Sequence, residues 1–169
     1  MHPPDPLDLA ILAVLQTDGR ASFAAIGERV GLSASAVTRR LEKLEGDGVI
    51  TGYAVLLRHA AVGLRITAFV TVTLVRQSEE VINAFEQAVV ALPQVAEVHL
   101  MAGSTDYLLR VVSPDLEAYE KFLKQQLTRL RGVAHVQTAF SLSTLKSVPS
   151  VPLTHLDESR KQAPTSVPR

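Results

Sequence analysis

Residues 22–45, SFAAIGERVGLSASAVTRRLEKLE, decide the fold of the first part of this chain. Ser22 and Ser33 are typical helix caps, because a serine hydroxyl accepts a hydrogen bond from a free amide of the first turn. Gly31 lies between them where a helix ends, since glycine enters the left-handed C-cap conformation without strain. Two capped helices joined at a glycine corner predict a helix-turn-helix unit. Its apolar residues, at helical spacing, are Phe23, Ile26 and Val30, then Leu32, then Val37, Leu41 and Leu44.

The outer face of the second helix determines what this unit can contact. Arginine bonds guanine through two hydrogen bonds, serine and threonine bond several base edges, and glutamate accepts from cytosine. Arg40, beside the buried stripe, and Lys43, on a shoulder, suit phosphate contacts, which position a helix without reading sequence. The glycine corner favours DNA contact over the alternative, a solvated helix face without a partner. The predicted DNA-binding residues are Ser33, Ser35, Thr38, Arg39, Arg40, Glu42 and Lys43.

The composition of the chain limits the classes of protein to which it can belong. A length of 169 residues allows one medium domain or two small ones, and 47% hydrophobic residues exclude general disorder. The formal net charge is +0, so affinity for DNA has to come from a local patch that an oligomer repeats. The chain has no cysteine, which excludes disulfides and thiolate metal sites. No apolar run approaches the ~20 residues that span a bilayer, so we expect a cytoplasmic protein without a membrane partner.

Residues 5–53 predict a three-helix domain with a short extended end, the pattern of a winged helix-turn-helix. Asp5-Pro6 opens the first helix, because a capping acid and an early proline both suit a helix start. Asp18-Gly19-Arg20 ends the first helix, and Gly46-Asp47-Gly48 turns the chain from the third helix into the extended Val49-Ile50. The inward face predicted for the first helix is Leu7, Ile11, Leu12 and Leu15.

Residues 65–145 predict a second domain in which strand and helix patterns alternate as β-α-β-β-α-β. This order is the ferredoxin-like split, with both helices on one face of a four-stranded antiparallel sheet. The fold class is therefore α+β. Residues 54–64 read as a strand-like linker, and the proline-rich residues 146–169 read as a flexible tail. The inward face predicted for the second helix of this domain is Leu116, Tyr119, Leu123 and Leu127.

Two blocks of motifs, in order, resemble the Lrp/AsnC family of prokaryotic transcription regulators. The first block is Gly31-Leu32-Ser33, Val37, Arg40, Leu44-Glu45, Gly48-Val49-Ile50 and Gly52-Tyr53, with Leu7-Asp8, Ile11-Leu12 and Asp18-Gly19-Arg20 before it. The second is Gly103-Ser104-Thr105-Asp106-Tyr107, which resembles the family's Gly-Asp-aromatic-Asp-Tyr loop. The resemblance runs from about Leu7 to about Leu145. It implies double-stranded DNA as one partner, and it implies a C-terminal domain that dimerises and often assembles further, to tetramers or octamers.

The first predicted strand of the second domain points to a covered sheet surface. Residues 66–75 carry no charged side chain on either face, whereas a solvated face normally carries some. A second copy of the chain covering this face is the simplest account, because large bare apolar patches are rare on monomers. The alternative is that Thr67, Thr71 and Thr73 are strand residues facing water. A two-fold dimer would present two recognition helices about one DNA turn, ~34 Å, or a multiple of it apart.

The turn between the two middle strands is the second candidate site. Its amides, hydroxyls and carboxylate suit the charged groups of a free amino acid, although such a sequence is also typical of a plain hairpin turn. The resemblance implies an effector pocket here, at the contact between dimers. Ser104 and Thr105 depart from the family's aspartate and aromatic residue, which leaves open a weaker ammonium site, another effector or none. The predicted effector-binding residues are His99, Met101, Gly103, Ser104, Thr105 and Asp106.

Three functions remain open at this point. The favoured one is a transcription regulator whose oligomer state or geometry responds to a small molecule, by resemblance an amino acid. The alternative is an architectural DNA-binding protein without an effector. A small-molecule enzyme is the third, but no phosphate loop, nucleophile elbow or metal-ligand spacing is present, so we expect no catalysis, cofactor or metal.

Overall fold

The computed structural model of the chain describes residues 3–147 and 150–153. These residues form two compact units: a first unit of residues up to Val55 together with the described residues of 146–153, and a second unit, Leu56–Leu145. Most of the predicted tail, residues 146–169, lies outside the described residues. Within its described part, the Val151 amide donates to the Gln16 side-chain oxygen of the first unit at 2.6 Å.

Three helices build the first unit, as predicted: α1 (Pro6–Thr17), α2 (Phe23–Val30) and α3 (Ala34–Gly46). The predicted caps are confirmed, because Ser22 accepts from the Ala25 amide and Ser33 from the Ala36 amide, both at 3.2 Å. Gly31 ends α2 in the left-handed conformation, with φ of 73°. The corner therefore has the geometry that its sequence requires.

The core of the first unit lies between α1 and the helix-turn-helix corner. The predicted stripe of α3 is confirmed, since Val37, Leu41 and Leu44 join Ile11 in one apolar cluster. The stripe of α2 is confirmed at Ile26 and Val30, whereas Phe23 is 47% exposed. The face predicted for α1 is confirmed at Ile11, Leu12 and Leu15 and is wrong at Leu7, which is 36% exposed, whereas Leu9 is 6% exposed. Asp8 is also buried, and Arg40 of α3 donates to its carboxylate at 2.6 Å.

The segment between the two units has no β pairing. Residues 47–65 contain no strand, so the extended end predicted at Val49-Ile50 makes no strand pair, although both side chains pack on the apolar cluster. The prediction of a strand-like linker is wrong, because His59–Val62 forms one 3₁₀ turn. Gly63 ends that turn with φ of 82°, and this left-handed conformation is incompatible with a continuous strand.

The second unit has the predicted ferredoxin-like fold. Its elements in chain order are β1 (Ile66–Leu74), α4 (Glu79–Val90), β2 (Val95–Leu100), β3 (Tyr107–Ser113), α5 (Leu116–Gln125), a 3₁₀ turn (Leu127–Arg129) and β4 (Val133–Phe140). The sheet order is β2-β3-β1-β4, and each neighbouring pair is antiparallel.

The core of the second unit lies between the two helices and one face of the sheet. Phe85 of α4 and Tyr107 of β3 stack there, with ring centroids 4.7 Å apart. The predicted face of α5 needs one correction, because Leu116 is 59% exposed and Phe122 is buried in its place. These two residues lie about 60° to either side of Tyr119 around the helix, and the sheet contacts the Phe122 side.

Candidate DNA-binding surface and effector pocket

The N-terminus of α3 is held by serine hydroxyls. The Ser33 hydroxyl caps the helix and lies 3.1 Å from the Ser35 hydroxyl. Both side chains are exposed, so the capped end of the helix faces solvent. A helix N-terminus with free amides attracts phosphate, which makes this end suitable for the DNA backbone.

The outer face of α3 carries free cations. Among residues 3–147 and 150–153, the side chains of Arg39 and Lys43 form no hydrogen bond or ion pair, and both are exposed beside Glu42. Thr38 is half-buried and donates its hydroxyl to the Ala34 carbonyl at 3.0 Å. The structure thus leaves Arg39, Glu42 and Lys43 available to an external partner.

Arg40 is the exception among the predicted DNA-binding residues. Its Nη1 atom lies 2.6 Å from a carboxylate oxygen of Asp5 and 2.6 Å from one of Asp8. The sequence predicts a phosphate contact for Arg40, whereas in the structure its guanidinium reaches back to the start of α1. The sequence carried a signal for this contact, since Asp5 and Asp8 stand at the N-terminal end of a helix that has to pack on α3.

The three-helix part of the first unit has no excess of positive charge for DNA binding. Residues 1–55 contain seven acidic and five basic side chains, a formal charge of −2. The acidic ones are Asp5, Asp8, Asp18, Glu28, Glu42, Glu45 and Asp47, and the basic ones are Arg20, Arg29, Arg39, Arg40 and Lys43. Because phosphate attraction scales with the number of cations at the interface, few exposed cations on α3 have to supply it.

In the second unit, Asp106 ties the β2–β3 turn to the end of β1. Its carboxylate accepts from the Leu74 amide at 2.7 Å and from the Gln77 side-chain amide at 2.6 Å. Its own amide donates to the Val72 carbonyl at 3.0 Å, and its carbonyl accepts from the Met101 amide at 2.8 Å. The loop is therefore fixed at its Asp106 end, while Gly103 and Ser104 are exposed.

A pocket of about 260 Å³ opens beside this contact. Of the predicted effector residues, Met101 and Asp106 line the pocket, and Gly103, Ser104 and Thr105 do not. The remaining lining residues are Leu74, Gln77, Ile82, Leu100 and Tyr107. Sequence reasoning missed these five because strand register and the start of α4 bring them together. Apart from the turn motif, the only sequence signal was the apolar strand ends.

His99 is not part of the pocket. It pairs across the sheet with Leu108, on the face away from the helices, and its ring lies 3.4 Å from the Glu97 carboxylate. Glu97 is also bound by Arg110 at 2.7 Å, and this hydrogen bond, aided by His99, lowers the pKa of Glu97. The prediction of His99 as an effector residue therefore needs correction: successive strand residues face opposite sides, so His99 points away from Leu100.

Tyr107 connects the pocket to the core. Its hydroxyl donates to the Glu86 carboxylate at 2.9 Å, and burial, together with this neighbour, raises the pKa of Tyr107 to about 12. The phenol thus stays protonated over the physiological range and keeps donating to Glu86. This contact fixes one wall of the pocket against α4.

The open face of the sheet, defined as the face opposite α4 and α5, remains uncovered in the single chain. Phe69, in the middle of β1, is 41% exposed there. On the same face of β1, Phe69 lies between Thr67 and Thr71. The cross-strand partners of Thr71 are Leu108 and Gln137. The Glu97–Arg110 pair of β2 and β3 carries charge on this face, and β1 contributes none.

A helix-turn-helix unit with free cations on its second helix, followed by a ferredoxin-like unit with a small pocket, defines a ligand-responsive DNA-binding regulator. Residues 5–45 match the AsnC-type helix-turn-helix domain, and residues 67–151 match the Lrp/AsnC ligand binding domain. The chain belongs to the Lrp/AsnC family of transcription regulators.

Several relatives are similar over most of the chain. The Bkd operon transcriptional regulator of Pseudomonas aeruginosa is 40% identical over 147 residues, which cover 86% of this chain and 96% of that protein. The leucine-responsive regulatory protein of Escherichia coli K12 is 39% identical over 84% of this chain and 87% of its own length.

Two solved structures share the fold of the chain. The regulator NMB0573 of Neisseria meningitidis, solved as a complex with L-Met, has a TM-score of 0.86 and 37% identity, covering 90% of this chain and 98% of that one. An AsnC family regulator of Agrobacterium tumefaciens has a TM-score of 0.85 and 36% identity, covering 90% of this chain and 99% of that one. No helix among the described residues is long and apolar enough to cross a membrane.

Proposed function

We propose that this regulator reads DNA sequence with the outer face of α3 and acts in the cytoplasm. The observation that carries the proposal is that Arg39 and Lys43 stay exposed and unpaired within the described chain, on a helix whose inner stripe is buried. Arg39 contacts a base edge and Lys43 a phosphate. Ser35, Thr38 and Glu42 lie within reach of further base edges, and Ser33 holds the helix end. Residues 5–53 form the DNA-binding domain, and residues 65–145 form the effector and oligomerisation domain.

The two cations are expected to behave differently when removed. Arg39→Ala lowers affinity for the preferred duplex by ~1–3 kcal/mol and relaxes preference at one base position. Lys43→Ala weakens all duplexes alike and makes the salt dependence of binding less steep by about one counterion. The measurement is binding by fluorescence anisotropy, over a salt series, to a duplex selected from a random pool and to unselected duplexes.

Glu28→Ala is the matched control, because it removes an exposed charge from α2 rather than from the outer face of α3. It is expected to preserve base preference. Equal losses on every duplex for Arg39→Ala and Lys43→Ala would refute the division into base reader and phosphate contact.

We further propose that the effector is a small apolar amino acid bound in the pocket of the second unit. Ligand pockets usually exceed about 300 Å³, so a pocket of about 260 Å³ suits a very small molecule. Leu74, Ile82, Leu100 and Met101 suit an aliphatic or thioether side chain. An ionised carboxylate offers about four acceptor sites, so Asp106 retains capacity for an ammonium group besides its two donors.

Apolar amino acids are expected to raise the melting temperature of the full-length protein. A ligand at 100 times its Kd adds about 2.7 kcal/mol of stability, which a thermal-shift screen with leucine, methionine and the other amino acids detects. Asp106→Asn is expected to abolish the shift, because it removes the charge that binds the ammonium group. His99→Ala is the control and keeps the full shift, since His99 faces the opposite side of the sheet.

The effector is proposed to act on assembly. A second copy of the chain covers the open face of the sheet, and the dimer presents two recognition helices to a pseudo-palindromic site. A ligand that binds one oligomer geometry more tightly than another shifts the population toward it. Light scattering with and without an amino-acid pool tests this step. An unchanged size and geometry, together with the absence of any thermal shift, would leave an architectural DNA-binding protein instead.

A further inference from the structure

We infer that Arg40 is a positioning residue that couples DNA affinity to two carboxylates that do not touch DNA. Arg40, Asp5 and Asp8 form one cluster, here called the clamp, which holds the middle of α3 against the start of α1. The inference rests on the proposed use of α3 as the recognition helix. It adds that the orientation of α3 depends on the clamp.

The two carboxylates of the clamp are bonded both to each other's backbone amides and to Arg40. Asp5 and Asp8 form a reciprocal capping box, in which each carboxylate accepts from the other residue's amide at 2.9 Å. One nitrogen of Arg40 then reaches both carboxylates at 2.6 Å. A single contact therefore ties α3 to the N-terminal turn of α1, where the helix dipole also favours negative charge.

The burial of Asp8 requires that its carboxylate be paired. Asp8 is 4% exposed, and a buried carboxylate is tolerated only when it is paired and hydrogen-bonded. Burial by itself would raise the pKa of Asp5, but the hydrogen bonds from Arg40 and the Asp8 amide outweigh it and lower that pKa. Removing Arg40 leaves the buried Asp8 carboxylate without a cation, and removing the Asp8 charge leaves Arg40 with only the more exposed Asp5 as its partner. Either change is therefore expected to alter how α3 is held at the start of α1.

The clamp makes a prediction opposite to simple electrostatics. Asp5 and Asp8 belong to a domain with a formal charge of −2, so removing one acid reduces the repulsion of DNA. If charge alone mattered, Asp8→Asn would tighten DNA binding. If the clamp positions α3, Asp8→Asn weakens binding although the domain becomes less negative.

The experiment measures affinity and salt dependence of the full-length protein on the selected duplex. Asp8→Asn and Arg40→Gln are each expected to lower affinity about tenfold, a typical size for a coupled network. The salt slope is expected to stay unchanged in both, because neither side chain contacts phosphate. The double variant with Asp8→Asn and Arg40→Gln is expected to bind the duplex no more weakly than the single variant of lower affinity, since both changes break the same clamp. Arg40→Lys is expected to restore part of the affinity by keeping one ion pair.

Three controls separate positioning from other effects. Glu28→Gln removes an exposed acid outside the clamp and is expected to keep or slightly raise affinity. Ile26→Val weakens the apolar cluster of the first unit. It is expected to keep full DNA affinity under conditions in which circular dichroism shows that the protein is folded. Lys43→Gln is expected to lower the salt slope. An unchanged slope there refutes the recognition-helix assignment, whereas the clamp is judged by the coupling between Asp8 and Arg40.

The inference is overturned by any of three results. Affinity equal to or above that of the parent protein for Asp8→Asn would show that charge dominates. A salt slope lowered by about one counterion in Arg40→Gln would show a phosphate contact. An equal loss in Ile26→Val would show general destabilisation. If Arg40→Gln does not fold, Asp8→Asn and Arg40→Lys decide between these outcomes by the same measurements.

Discussion

Replacing Phe85 with alanine is expected to lower the free energy of unfolding of the second unit by about 3–5 kcal/mol. The side chain is fully buried between α4 and the sheet, and its ring stacks against Tyr107. Truncation leaves a cavity beside the wall of the pocket, because a packed core relaxes only in part around a lost ring. Urea unfolding of the full-length protein, followed by circular dichroism, measures the change.

Leu116→Ala is the matched control for this variant, since it also shortens an apolar side chain on a helix of the same unit. Leu116 is largely exposed, so the expected change stays within about 0.5 kcal/mol. A loss for Leu116→Ala comparable to that for Phe85→Ala would contradict the position of the core on the Phe122 side of α5.

Placing a carboxylate at the centre of the open face is expected to dissociate the proposed dimer into monomers. Thr71→Asp puts a charge opposite Leu108 and Gln137, neither of which carries a compensating charge. An unpaired charge buried in an interface costs about 3–5 kcal/mol, which raises the dissociation constant at least about a hundredfold. Light scattering over a concentration series measures this change. DNA affinity is expected to fall with it, because each chain then binds through one weak recognition helix.

The control for this variant is Leu116→Asp, which introduces the same charge on the helix side of the unit. It is expected to remain dimeric, with the far-ultraviolet spectrum of the parent protein. A Thr71→Asp protein that is folded and still dimeric would show that a second copy does not cover the open face. The threonines of β1 would then be solvent-facing strand residues.

Local sequence rules predicted the helix-turn-helix corner because its determinants are local. Ser22, Gly31 and Ser33 each act on backbone groups within a few residues, and the structure gives each of them the expected cap. The alternation of strands and helices in residues 65–145 was equally readable, since periodicity is a property of neighbouring residues.

The same rules failed where a choice between nearly equivalent helix faces had to be made. On α1, Leu7 and Leu9 both fit an apolar stripe, and on α5 so do Leu116 and Phe122. On α1 the burial of Leu9 rather than Leu7 accompanies a long-range contact, the ion pair between Arg40 and the buried Asp8. No pattern within α1 alone contains that contact.

The candidate effector site shows the same division. The sequence predicts the turn around Asp106, but three of the seven residues that line the pocket, Leu74, Gln77 and Ile82, precede the turn by many residues. His99 was included because it is close in sequence. Strand alternation turns it to the opposite face, and the register of β2 on β3 fixes that direction.

The sequence by itself therefore determined the two domains, their element order, the glycine corner and the outer face of α3, because caps, turns and periodicity act over a few residues. Tertiary structure alone decided the rotation of α1, the withdrawal of Arg40 into the clamp and the assembly of the pocket. These features depend on side chains far apart in the chain whose charges and volumes meet only after the elements pack.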